Sequence, residues 1–344
     1  MSARELLAME PGAEEEYLNQ NLGYTETWGD PELRDLIAGL YRNMERENIL
    51  VFHGAQEAIF AYMNVMLEPG DHMIAMYPNY QSAYEVARSV PDCGLSMWRL
   101  HDDGNGWSID FDELESLIRP ETKLIAVNSP NNPTGFTFTN DQMSRLIEIC
   151  GKHDLYLFSD EVYKGLELDG EPREWAADQY GKAVSLGVMS KAYGLAGIRV
   201  GWTASQDREL LDKLVRFKHY MSICDSGPSE FLAKAALKHG DELLERNRSI
   251  IRENIKTADA FFARHPEVFE VKTMECGPVA FHKLKLDMPV SEFCRLAVEK
   301  KGVLLLSGDV YEADGPYFRM GYGRKAMGEG LAKLEEFLNE EFRL

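Results

Sequence analysis

Short, nearly uninterrupted apolar runs alternate with amphipathic stretches along the first two thirds of the chain, and no other feature restricts the possible folds as strongly. The runs HMIAMY (72–77), LIAVNS (124–129), LYLFSD (155–160) and AVSLGVMS (183–190) have strand length and lack the polar alternation of a half-exposed strand. A strand that is apolar on both sides must be covered on both sides, and crossover helices in a parallel sheet do that. NDQMSRLIEICGKH (140–153) supplies such a helix, with Asn or Asp at its start as a cap and apolar residues at helical spacing. The pattern predicts an α/β fold with a mostly parallel sheet in a large domain.

From Asp241 the pattern changes. DELLERNRSIIRENIKTADAFFARH reads as one long charged helix. After it come two strands (VFEVKTM, GPVAFHKL), a helix (SEFCRLAVEKKG), short strands (VLLLS, YFRMGYG) and a terminal helix (GEGLAKLEEFLNEEF), a small α+β domain. Residues 24–240 are therefore expected to form the large domain, and 241–344 together with 1–23 the small one.

A formal net charge of −20 opposes both nucleic acid and an anionic membrane surface as partners. Five scattered cysteines without a CxxC pair read as reduced thiols, and no His/Cys grouping has metal spacing. No apolar run approaches the ~18 to 20 residues of a membrane span, and the acidic opening segment lacks the features of a secretion signal. A cytoplasmic protein is expected.

Ligands of parallel α/β sheets sit at the carboxyl ends of the strands, so polar residues there are the candidates for function. Four such places are unusual. In NSPNNPTG (128–135), two prolines and a glycine stop a strand and hold Asn131 and Asn132 in a turn. Asp160 and Glu161, followed by Tyr163, end an apolar strand, where acids also serve as helix caps. SLGVMSKAYGLAGIRVGW (185–202) brings Ser190 and Lys191 to a strand end, with Arg199 eight residues further on. A lysine among apolar residues loses solvation, its pKa falls, and the neutral amine becomes a nucleophile. In YFRMGYGR (317–324), alternation puts Phe318 and Met320 on one face and Arg319 on the other. An arginine in such a strand needs an anionic partner, either a protein carboxylate or a substrate carboxylate.

Taken together, and in order over nearly the whole chain, these segments resemble the class I/II aminotransferases of fold type I, which depend on pyridoxal 5'-phosphate. SKAYGLAGIRVGW is similar to a subgroup that includes capreomycidine synthase-like enzymes. The resemblance implies that Lys191 carries the cofactor as a Schiff base and moves the substrate proton, that Asp160 faces the ring nitrogen, and that Tyr163 and Asn132 meet the ring's phenolic oxygen. It further implies phosphate contacts from Ser190, Arg199 and the backbone of Gly54, Ala55 and Gln56, a stacking role for Tyr80, and a substrate carboxylate clamped by Arg319 beside Asn132. Tyr24, in LGYTETWGDPELR, matches a tyrosine that reaches the partner subunit's phosphate in the family, which implies a homodimer with shared active sites acting on an amino acid and a 2-oxo acid.

The chain departs from the family pattern in places. Val188 stands where a phosphate-binding Ser or Thr is usual, and little of the N-terminal arm precedes the tyrosine motif. No arginine occurs in SICDSGPSE (222–230), which disfavours a dicarboxylate substrate, and Asp225 there suggests a cationic substrate side chain. The same residues also suit a PLP-dependent lyase or cyclase. A non-catalytic scaffold has no need of so many polar residues kept in register. A nucleotide-binding Rossmann enzyme is disfavoured because neither GxGxxG after the first strand nor GxxxxGK(S/T) is present.

Overall fold

The apolar runs become the middle of one sheet in the computed structural model, which describes residues 1–168, 170 and 172–343. The strands of this sheet are β1 Ile49–Phe52, β2 His72–Tyr77, β3 Gly94–Asp102, β4 Trp107–Ile109, β5 Thr122–Asn128, β6 Tyr156–Asp160, β7 Ala183–Val188 and β8 Gly201–Ser205. Their order is β1-β8-β7-β6-β5-β2-β3-β4. Neighbours from β7 through β6, β5 and β2 to β3 are parallel. β8 returns antiparallel beside β7, β1 runs antiparallel to β8, and β4 closes the other edge antiparallel to β3. Every residue of β1, β2, β7 and β8 is buried, as two covered faces require.

The helix Asn140–Lys152 shows how the covering layer is specified. Thr139 is its cap, one residue before the Asn or Asp expected from the sequence: its hydroxyl accepts the Gln142 N–H while the Gln142 side chain accepts the Thr139 N–H. Met143, Leu146, Ile149 and Cys150 form the buried stripe, the larger three worth about 1.5–3 kcal/mol each.

A second, antiparallel sheet follows, built from β9 Phe269–Glu270, β10 Val279–Leu284, β11 Leu306–Ser307 and β12 Tyr317–Gly321 in the order β11-β12-β10-β9. The helices Gly240–Phe262, Val290–Lys301 and Met327–Phe342 accompany it. β9 is much shorter than the run VFEVKTM suggested. Its continuation is diverted by Lys272, whose fully buried ammonium bonds Asp102 and Glu270 at 2.5 Å each and the Gly104 carbonyl at 3.0 Å. A buried ammonium needs such acceptors, and meeting them draws the chain out of the ladder toward the end of β3. The same Asp102 accepts the Tyr317 hydroxyl at 2.7 Å, so this cluster fastens the small sheet to the large one.

The N-terminal helices Ala3–Leu7 and Ala13–Leu18 rest on the helix Gly227–Lys238, a segment that the boundary drawn from the sequence assigns to the large domain. Among the described residues, no helix is long and apolar enough to cross a membrane.

Candidate active site

The carboxyl ends of β1, β2, β5, β6 and β7 open onto one cavity of about 260 Å³, and most of the residues singled out in the sequence line it. Asp160, the last residue of β6, lies at its floor, 4% exposed. Loss of solvation raises its carboxyl to about 7, against the opposing pull of the Val162 N–H (3.2 Å) and the Lys191 charge. Near neutrality this acid is balanced between its two forms, and a cation or donor in the cavity would make it an anion.

Lys191 stands three residues beyond β7. Its side chain reaches the open cavity and is exposed there, yet the surrounding walls strip enough water to lower its amine below the usual lysine range. Asp160 opposes that shift, and the positive charges of Arg319 and Arg199 add to it. The ammonium lies 5.8 Å from the ring centre of Tyr163, a buried phenol that desolvation keeps protonated.

One end of the cavity is built for an anion. Gly54, with φ +82°, precedes the helix Ala55–Met66, which has no side-chain cap, and its first residues, Ala55 and Gln56, lie in the cavity wall. The Arg199 guanidinium is packed against Gly54, where an added Cβ would lie 2.5 Å from Nη2. Arg199 itself adopts the left-handed backbone region (φ +54°), a costly conformation for a residue with a side chain. Its Nη1 donates to the Ala196 carbonyl, and among the described residues no carboxylate pairs with it. Ser190 adds a hydroxyl to the wall, while Val188, where the usual hydroxyl is missing, is buried and lends only apolar contact. Tyr80 covers the opening, its hydroxyl donating to Gln56 Oε1 at 3.0 Å.

Behind Asn132, just outside the cavity lining, stands a second cation. Arg319 lies on β12 with Phe318 and Met320 buried on the opposite face, as alternation predicted. Its Nη1 donates to Asn132 Oδ1 at 2.9 Å and to the Tyr311 hydroxyl at 2.8 Å. No carboxylate among the described residues pairs with it, which leaves its charge for a ligand. Asn132 is held in turn: its N–H donates to Asn128 Oδ1 at 2.7 Å, and Asn128 Nδ2 donates to the Asp160 carbonyl at 2.9 Å. Sequence reasoning passed over Asn128 and Tyr311. Asn128 is the last residue of β5 and lay within reach of the strand-end rule, whereas Tyr311 follows no periodic pattern in SGDVYEADG.

Two expected residues lie elsewhere. Tyr24 is 93% exposed and does not line the cavity of its own chain. Asp225 does not line it either, and this corrects the suggestion that it meets a cationic substrate. Its buried carboxylate pairs with the fully buried Lys218 at 2.5 Å, and that ammonium also donates to the Thr27 and Val51 carbonyls at 2.7 Å each. An ammonium without water requires a counter-charge, and Asp225 is that charge.

Residues 8–333 match the family model described as aminotransferase class I and II. The chain belongs to this family. It is 27% identical to capreomycidine synthase of Streptomyces vinaceus over 92% of this chain and 80% of that one. It is 25% identical to aspartate aminotransferase of Sulfurisphaera tokodaii over 92% and 82%. A crystal structure of a PLP-dependent aminotransferase from Streptococcus suis superposes with a TM-score of 0.91, at 31% identity, over 99% of this chain and 91% of that one. The aminotransferase thus has fold type I, is an enzyme that depends on pyridoxal phosphate, and acts on amino acid and 2-oxo acid substrates. The site's donors suit that cofactor: an amine of lowered pKa, a dry carboxyl near 7, and an arginine beside a bare helix start.

Proposed function

We propose that Lys191 holds pyridoxal phosphate covalently through its ε-amine and that this cavity exchanges an amino group between an amino acid and a 2-oxo acid. The observation that carries the reading is that Lys191 and Arg199 line one cavity and Arg319 adjoins it through Asn132, none of them ion-paired with a carboxylate among the described residues. When bound, the cofactor supplies a protonated ring that withdraws electrons from the substrate's α-carbon. Asp160, ionised opposite the ring nitrogen, keeps that proton in place. Asn132 and Tyr163 donate to the phenolic oxygen, and Tyr80 covers the ring. Arg199, Ser190 and the N–H groups of Ala55 and Gln56 hold the phosphate; the Gly54 N–H expected to join them donates instead to the Phe52 carbonyl at 2.7 Å. Arg319 takes the substrate's α-carboxylate in its planar fork. The freed amine of Lys191, poorly solvated and basic enough to accept a proton, would take one from the substrate's α-carbon and pass it to the cofactor carbon that keeps the amino group.

A homodimer with shared sites accompanies this reading. Leu22, Tyr24 and Tyr220 are 82%, 93% and 92% exposed, large side chains that suit burial against a second copy. Tyr24 of one protomer would then complete the phosphate site of the other. The five free thiols suit a reducing cytoplasm.

Similarity to a synthase as well as to transaminases favours one further reading, a lyase or cyclase reaction in the same cavity. One experiment separates the two. Absorption spectra are recorded with added pyridoxal phosphate and then with single amino acids, using Lys191→Ala as control, and the products are assayed for 2-oxo acid. Transamination predicts a visible band, absent in the variant, that bleaches with a subset of amino acids as 2-oxo acid appears. The same band in Lys191→Ala overturns the lysine assignment, and consumption of the amino acid without 2-oxo acid favours cyclisation or elimination.

A further inference from the structure

Arg319 has five N–H groups, and the two on Nη1 are spoken for by neutral oxygens, Asn132 Oδ1 at 2.9 Å and the Tyr311 hydroxyl at 2.8 Å. The Tyr311 proton goes to the same Asn132 Oδ1 at 3.1 Å. The three side chains form a closed triangle in which every role is fixed. Arginine donates twice, tyrosine accepts once and donates once, and the amide oxygen accepts twice. Only one orientation of the Asn132 amide satisfies this, with Nδ2 as its remaining donor. Nη2 and Nε of Arg319 have no protein partner of their own among the described residues, so the open edge of the guanidinium is the side-on pair.

Tyr311 is itself held from two directions. Its ring, 4% exposed, packs edge-on against Phe281 at 5.8 Å, and Phe281 is the β10 residue directly opposite Arg319. The next residue, Glu312, takes the left-handed backbone region (φ +55°). Its carboxylate is forked by Arg88 Nη1 and Nη2 at 3.1 and 3.0 Å, and its carbonyl accepts the Tyr77 hydroxyl. Arg88 and Tyr77 belong to the large sheet and the helix after it, whereas Arg319 belongs to the small sheet. Tyr311 therefore ties the substrate arginine to a turn that is anchored on the other unit.

We propose that Tyr311 is a positioning residue that sets the affinity for the substrate's α-carboxylate by locking Nη1 and presenting the Nη2/Nε edge of Arg319. This rests on the reading that Arg319 receives that carboxylate. The alternative geometry is an end-on carboxylate that displaces the hydroxyl, and it predicts the opposite effect of removing it.

The test uses the holoenzyme and α-methyl amino acids, which lack the proton to be removed and so report binding alone by spectral titration. Tyr311→Phe keeps the ring and deletes the hydroxyl. Loss of one hydrogen bond that orients a charged group predicts about fivefold to tenfold weaker binding, with KM rising and kcat little changed. The corresponding amines without a carboxylate should bind wild type and Tyr311→Phe alike, which a merely structural role would not produce. Unchanged or tighter binding of the α-methyl amino acid to Tyr311→Phe overturns the proposal. Arg319→Gln separates the two levels: if it fails to weaken that binding, the carboxylate assignment of Arg319 falls, and if it weakens binding while Tyr311→Phe does not, only the role of Tyr311 falls.

Discussion

Glu230 should make the folded chain less stable as pH rises through neutrality, and Glu230→Gln should remove that loss. The side chain is 1% exposed: Oε1 accepts the Asp30 N–H at 2.8 Å and Oε2 has no partner. Desolvation pushes its carboxyl from 4.5 to about 7, with the charges of Asp225 and Asp30 adding to the rise and the Asp30 N–H and Lys218 opposing it. The folded state therefore keeps a proton that the unfolded chain releases near pH 4.5, and raising the pH from there to 7 costs stability. At about 1.4 kcal/mol per tenfold change in proton affinity, the rise from 4.5 to about 7 gives a penalty approaching about 3.5 kcal/mol above pH 7. Glutamine copies the neutral acid and retains the acceptor for Asp30. The variant should exceed wild type by only about 1 kcal/mol at pH 5 and by about 3 kcal/mol at pH 8. Urea denaturation of the cofactor-free protein at both pH values measures this. The groups that act on Glu230, Asp30, Asp225 and Lys218, are present in both proteins. An equal stability difference at pH 5 and pH 8 refutes the reasoning.

Lys218→Met should cost about 3–5 kcal/mol in denaturant melts because it strands the Asp225 carboxylate in a dry site, and adding Asp225→Leu should recover much of that loss. Asp160→Asn should separate stability from activity. Removing an acid raised to about 7 by burial stabilises the cofactor-free protein at pH 8, read as a higher Tm, while loss of the anion opposite the ring nitrogen lowers kcat on the order of 100-fold or more. A lower Tm together with an unchanged kcat would count against both assignments.

The middle of the large sheet was legible because a strand buried on both faces leaves a plain mark: β2 occupies the predicted 72–77, and β6 and β7 lie within the runs predicted for them. The position of Lys191 at the cavity was legible for a related reason, since a strand end in a parallel sheet is where a polar residue most needs an explanation. Thr139 was misjudged although TNDQ (139–142) spells a capping box, so that signal was present. Asp225 and Lys272 were illegible in a deeper sense. Each is defined by a buried ion pair: Lys218 lies seven residues before Asp225, and Asp102 is 170 residues from Lys272. No local periodicity reports such burial. Tyr311 fails for the same reason, because its meaning comes from Asn132, 179 residues away in the turn that follows β5.

Those ion pairs give the strongest internal argument for what the cavity binds. Away from it, the chain answers its withdrawn cations with carboxylates: Lys218 with Asp225, Lys272 with Asp102 and Glu270, Lys164 with Glu161 at 2.7 Å. With 57 acidic residues against 37 basic ones, acids are plentiful. At the cavity the practice reverses. Arg199 and Arg319 pair with no carboxylate among the described residues, and the one acid at the floor, Asp160, is so desolvated that it holds a proton up to about 7. Arg199, exposed at the cavity, and Arg319, half-buried beside it, have no protein counter-charge, and the acid at the floor has no cation of its own in contact. A ligand with a phosphate for Arg199, a carboxylate for Arg319 and a protonated ring nitrogen for Asp160 answers all three together, and a bound amino acid joined to pyridoxal phosphate has those groups.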